Sequence, residues 1–247
     1  MDYVEIGAGE PILMMHGIGL DHRYLRPWHD ALADRARLIY YDMRTTGPID
    51  HTVWLADAAA LLDQLGLAKA TLYGHSYGSW LALEFAARYP ERVTRVIACA
   101  TSPAFDYPDV VMANAQRKDP ALAELLASTF AKLPESDAEF ARVWRTILPL
   151  YFHGPARTEI LADTHFSAHA FACGMAALQG WSVVGRVPPL PLLAITGDDD
   201  YVTPFAQARR LADGVPGARA VEIANAGHFP FVEQPQAYLT ALHDFLS

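Results

Sequence analysis

Apolar runs of strand length recur along this chain with helical segments between them, a pattern that predicts a mostly parallel sheet covered by helices on both faces. The candidate strands are Pro11 to Met15, Ala36 to Tyr41, Ala70 to Tyr73, Val93 to Ala100, Leu190 to Thr196 and Ala218 to Ile223. Trp54 to Leu65 places its apolar residues on one helical stripe and stops at Gly66. Ser79 to Tyr89 predicts a second helix, ended by Pro90, and Gln234 to Leu246 a last one. A chain of 247 residues, 52% hydrophobic and 19% charged, can bury the core that such a sheet needs.

One stretch breaks the alternation. From 103 to 186 there are helical patterns but no convincing strand, and Pro108, Pro120, Pro134, Pro149 and Pro155 punctuate them. The pattern reads as a helical lobe, residues 103–186, inserted into a core made of residues 1–102 and 187–247. Ligands of open α/β sheets sit beyond the carboxyl ends of the strands, so a lobe at that point is expected to roof the site.

The pentapeptide Gly74-His75-Ser76-Tyr77-Gly78 lies between a candidate strand and a candidate helix. A sharp strand-to-helix turn strains its middle residue and lifts the side chain clear of the sheet, and the flanking glycines remove Cβ atoms that would collide. By frequency alone, roughly one chain in thirty of this composition carries the pattern, so its setting has to decide. A serine nucleophile needs a base and a group to orient it. Of the 10 histidines, His228 follows the last candidate strand, where a loop can return over the sheet end. The acid should fall between the two, and Gly197-Asp198-Asp199-Asp200 follows the Leu190 to Thr196 strand. Loop position favours Asp200, with Pro204 at the next helix start; Asp198 and Asp199 read as structural acids at that start. Asp106 is the alternative acid.

The net charge of −9 opposes a polyanionic partner, and nucleic-acid binding is not expected. Two cysteines, Cys99 and Cys173, do not indicate a disulfide framework. The opening Met1-Asp2-Tyr3-Val4-Glu5 lacks the blocks of a signal peptide, and no run reaches 18 apolar residues. A cytoplasmic protein without membrane contact is expected, acting on a small molecule. His165 and His169 stand at i and i+4, a spacing that can hold zinc, yet no third ligand accompanies them. No metal or cofactor is expected.

These motifs resemble the α/β-hydrolases, in particular the capped branch that includes proline iminopeptidases and small-molecule esterases. The resemblance covers the chain outside the divergent lobe. It places Gly197, Asp200 and Pro204 on the family's G-x-x-D-x-x-x-P segment, Gly227-His228 on its late G-H, and His16-Gly17 on the loop that supplies half the oxyanion hole. It implies a Ser76–His228–Asp200 triad, with the backbone N–H of Tyr77 and that of Ile18 or Gly17 binding the oxyanion. The lobe's Leu150-Tyr151-Phe152-His153-Gly154 fits the same relatives. The oxyanion loop departs from the iminopeptidase H-G-G-P-G at Ile18 and Gly19, and Thr45-Thr46 stands where the family's Y-D-x-R is followed by G-x. An ester or lactone substrate is therefore expected ahead of an aminopeptidase or amidase one. A lyase, or a binding protein on the same fold, is the further alternative. A free-amine substrate needs an acidic anchor under the lobe, for which Glu124, Glu135, Glu139 and Glu159 are candidates.

For the substrate pocket the sequence nominates Phe171, Met175, Trp181 and Phe229, with Phe166 as a further aromatic. His75 is expected to pack beside the elbow, His16 to position its loop by hydrogen bonds, and Asp42 and Arg44 to form an ion pair.

Overall fold

The computed structural model describes residues 2–247. In chain order the elements are β1 (Tyr3–Ile6), β2 (Glu10–Met15), α1 (Arg26–His29), β3 (Ala36–Tyr41), α2 (His51–Gln64), β4 (Ala70–His75), α3 (Tyr77–Arg88), β5 (Val93–Cys99), α4 (Pro108–Lys118), α5 (Pro120–Ala131), α6 (Asp137–Ile147), α7 (Ala168–Ala177), β6 (Leu192–Gly197), α8 (Phe205–Gly214), β7 (Ala218–Ile223), α9 (Pro230–Glu233) and α10 (Pro235–Leu246). The seven strands form one sheet in the order β1-β3-β2-β4-β5-β6-β7. Only β1 runs antiparallel to its neighbour.

Period-two alternation sends neighbouring strand residues to opposite faces. Ile12 and Met14 of β2 join a core with Tyr238 and Leu242 of α10, while Leu13 and Met15 join one with α2, α3 and α8. Each such fully buried side chain contributes about 1.5–3 kcal/mol. The sequence reading lacks β1. That strand is half-exposed at the sheet edge and presents no continuous apolar run. Pro191, which has no N–H for the ladder, delays β6 to Leu192. Asp50 caps α2 by accepting from Val53 N–H at 2.8 Å, and so the helix begins ahead of its apolar stripe.

Between β5 and β6 lie α4 to α7. Pro108 and Pro120 each open a helix, at the turn where a missing N–H costs nothing. The segment leaves and rejoins the core at one point, an isolated antiparallel bridge between Ala104 and Ser182. Among the described residues, no helix is long and apolar enough to cross a membrane.

The parallel register brings the carboxyl ends of β2, β4, β5, β6 and β7 to one edge. Met15 pairs with Gly74, His75 with Cys99, Cys99 with Ile195 and Gly197 with Ile223. The loops after β2, β4, β6 and β7 therefore open on the same side.

Candidate active site

Ser76 is the single residue between β4 and α3. Its φ of 55° and ψ of −122° lie in a region that costs a non-glycine residue about 1–3 kcal/mol. The strain persists because strand and helix are in contact on either side. A Cβ on Gly74 would sit 2.1 Å from the Gly78 carbonyl oxygen, and one on Gly78 would sit 2.2 Å from that of Met15. Ser76 N–H donates to the Cys99 carbonyl at 2.9 Å, which holds the turn to β5.

The loop after β6 delivers Asp200 and the loop after β7 delivers His228, both almost fully buried. His228 Nδ1 donates to Asp200 Oδ2 at 2.8 Å, so in the neutral imidazole Nε2 is the nitrogen that can accept a proton. The same carboxylate accepts from Val202 N–H at 2.9 Å, Thr203 N–H at 3.0 Å, Thr203 Oγ1 at 2.6 Å and Thr196 Oγ1 at 3.1 Å. Burial raises its pKa, but the facing imidazole and these donors outweigh burial and hold it well below the ordinary carboxylate value. The His228 backbone is fixed as well, since its N–H donates to the Tyr151 carbonyl at 2.7 Å. Glu233 adds a second anchor: it accepts from Gly227 N–H at 2.6 Å and from His153 and Gly154 N–H at 2.9 and 3.0 Å. Among the described residues, Ser76 Oγ makes no hydrogen bond to His228; the two line one cavity. Such contacts often tighten only when substrate binds.

The loop after β2 passes beside the elbow. Here the structure corrects one expectation. Gly17 N–H is already engaged, donating to Tyr24 Oη at 2.6 Å, and is not an oxyanion donor. Ile18 N–H and Tyr77 N–H have no hydrogen-bond partner among the described residues. Tyr24 Oη also meets His75 Nδ1 at 2.8 Å, and His75 Nε2 meets the His228 carbonyl at 2.8 Å. A carbonyl only accepts, so Nε2 carries the proton and Tyr24 donates to Nδ1. Burial, together with nearby His228, holds the His75 pKa well below its ordinary value, consistent with this neutral tautomer. His75 thus couples three loops rather than merely packing beside the elbow.

A cavity of about 70 Å³ abuts Ser76 and His228, with walls from α4, α5, α6 and α7. Phe171 and Met175 line it, as nominated. Phe229 reaches only a recess of about 10 Å³ beside Ser76. Trp181 is displaced: its ring packs against Trp80 and His51, at 5.9 and 6.2 Å, outside the cavity. Phe166 turns to Phe140 and Arg145 instead. The wall that sequence reading missed includes Phe140, Val143, Trp144 and Ile147. These fall at i, i+3, i+4 and i+7 of α6, one helical face, and that spacing was the available signal.

The sequence model of the alpha/beta hydrolase family matches residues 12–241. The chain belongs to the α/β-hydrolase family. It is 27% identical to the pimeloyl-acyl-carrier-protein methyl ester esterase of Aeromonas hydrophila, covering 97% of this chain and 96% of that one. It is 28% identical to the 2-hydroxymuconate semialdehyde hydrolase of a Pseudomonas species, covering 98% and 88%. Among solved structures, a hydrolase from Pseudomonas aeruginosa superposes with a TM-score of 0.77 at 25% identity, covering 99% and 93%.

Other residues of this hydrolase take structural places. His16 positions its loop, with Nε2 accepting from Met43 N–H at 3.0 Å. Asp42 and Arg44 do not pair with each other, because Asp42 faces His22 at 2.9 Å and Arg44 reaches Asp57 on α2. Asp106 pairs with Arg210 at the surface. Asp198 accepts from Asn225 and Ala226 N–H, and Asp199 pairs with Lys118, so these acids hold loops rather than cap α8. His165 meets Arg23 and His169 meets the Gly47 carbonyl. Glu124, Glu135, Glu139 and Glu159 are all exposed and absent from the cavity wall.

Proposed function

We propose that this α/β-hydrolase is a serine hydrolase that cleaves a carboxylic ester, or the internal ester of a lactone, through an acyl-enzyme. The observation that carries the reading is the buried Asp200–His228 pair, opening on the same cavity as strained Ser76. Ser76 Oγ attacks the carbonyl carbon while His228 Nε2 takes its proton, and Asp200 keeps the imidazole in the required tautomer. Ile18 and Tyr77 N–H receive the oxyanion; one such donor contributes about 2.7–4 kcal/mol. The tetrahedral intermediate collapses as His228 returns the proton to the departing alkoxide. Water then attacks the acyl-enzyme with His228 again as base, so one ester and one water leave as acid and alcohol. Residues 103–186 act as a cap whose walls select the acyl group. The esterase and hydrolase names of the relatives accord with this chemistry. With the four glutamates outside the cavity, no acidic anchor supports the aminopeptidase reading.

The test is a fluorophosphonate probe followed by intact mass and peptide mapping, alongside turnover of p-nitrophenyl butyrate. We expect one label, on Ser76, and a loss on the order of 10⁶ in kcat for Ser76→Ala. Near-normal turnover in that variant would falsify the serine mechanism.

A further inference from the structure

The cavity at Ser76 is small, about 70 Å³, and suits a short acyl group. It shares one of its walls with the surface. Phe105, Val111, Phe130, Met175 and Leu178 line it and also line an outer groove of about 630 Å³ between α4, α5 and α7. Phe130 is the threshold: it stands on the inner wall and is still 40% exposed, unusual for so large an apolar ring. No charged side chain lines the groove among the described residues.

Helix α7, one wall of the groove, packs on the side chains of Ile18 and Tyr77, the two residues proposed to bind the oxyanion. A Cβ on Gly174 of α7 would meet Ile18 at 2.3 Å and Tyr77 at 3.2 Å, and Phe105 packs on Trp80 at 5.5 Å. His228 instead faces Tyr151 at 5.3 Å, with Tyr201 edge-on to Tyr151 at 5.0 Å. A leaving group has to lie within reach of His228, so the other substituent of the carbonyl points toward α7.

We propose that the outer groove is the distal half of an acyl site, and that the preferred substrates are esters of extended, uncharged acyl chains of about six carbons or more. The carbonyl sits at Ser76, the first carbons fill the inner cavity, and the tail passes Phe130 into the groove. The proposal rests on the serine-hydrolase reading above. At full burial each methylene would raise kcat/KM about fourfold; in an open groove about twofold is expected.

The experiment measures kcat/KM of the full chain on p-nitrophenyl acetate, butyrate, hexanoate and octanoate, and on ethyl and octyl acetate. Wild type should gain on the order of tenfold from butyrate to octanoate. Ala127→Glu, at an exposed α5 position in the groove wall, should lower the octanoate-to-butyrate ratio on the order of tenfold. A profile that falls beyond butyrate, a ratio unchanged in Ala127→Glu, or a gain that follows the alcohol chain instead would each overturn the proposal. If Ser76 takes no fluorophosphonate and butyrate is not cleaved, the underlying reading falls and the groove assignment with it. A labelled, butyrate-active enzyme with a flat acyl profile sinks the groove alone.

Discussion

Tyr24→Phe isolates the chain from Gly17 through Tyr24 and His75 to His228, because the ring stays and only the hydroxyl goes. That hydroxyl accepts from Gly17 N–H at 2.6 Å and donates to His75 Nδ1 at 2.8 Å, both buried. Each group left unpaired in the interior costs about 1–3 kcal/mol, so the variant should lose about 2–6 kcal/mol of stability. In a chain of this size, 1 kcal/mol is worth about 2–4 °C, and even the low end lowers Tm by about 4–8 °C. Catalysis should suffer separately. Gly17 is bonded directly to Ile18, and a loop no longer pinned there loses part of an oxyanion donor, whose full removal costs on the order of 10²–10³ in kcat. We expect kcat to fall by tenfold or more with KM within about threefold, since a misplaced donor weakens the transition state more than the ground state. Thermal unfolding by circular dichroism, and steady-state kinetics well below the lower Tm, read the two effects. A variant with unchanged Tm and kcat refutes the coupling; lower Tm with wild-type kcat shows that the chain braces the fold without aligning the oxyanion loop.

Asp200→Asn should leave the fold intact but release the His228 tautomer, lowering kcat on the order of 10⁴; a loss under tenfold would remove Asp200 from the triad. Acid stability tests the buried histidines. Burial lowers the pKa of His29 and of His51 to about 4 each, below the unfolded value of roughly 6.5. Between those values the unfolded chain binds protons that the folded chain refuses, so stability falls as pH drops from 6.5 toward 4. From pH 7 to 5.5 the two together should cost about 2.5 kcal/mol, with His16 and His75 adding to it. Urea midpoints at the two pH values measure this, and equal midpoints would contradict it.

Ser76, Asp200 and His228 were legible because each follows its own strand and a parallel sheet delivers successive strand ends to one edge. The loop after β2 was only half legible. Whether Gly17 N–H is free depends on a tyrosine hydroxyl seven residues on, whose direction no local pattern records. Trp181 failed for a related reason: near the bridge at Ser182 the chain turns its indole toward α3, away from the cavity. The walls from α4, α5 and α6 meet only through long-range packing, and there the amphipathic spacing says which face is buried but not against what. Asp42 and Arg44 stand two residues apart, yet each found a closer partner on another element.

The bridge between Ala104 and Ser182 also bears on descent. Because the intervening segment departs and returns at adjacent backbone positions, its helices can lengthen, shorten or be exchanged between lineages without displacing β5 or β6. One patch lacks that freedom. The Tyr151 carbonyl and the His153 and Gly154 amides, through Glu233, hold the loop that carries His228. Changes along the exposed side of α5 leave that support untouched, whereas a chain that rebuilds residues 151–154 must find another way to hold the His228 loop.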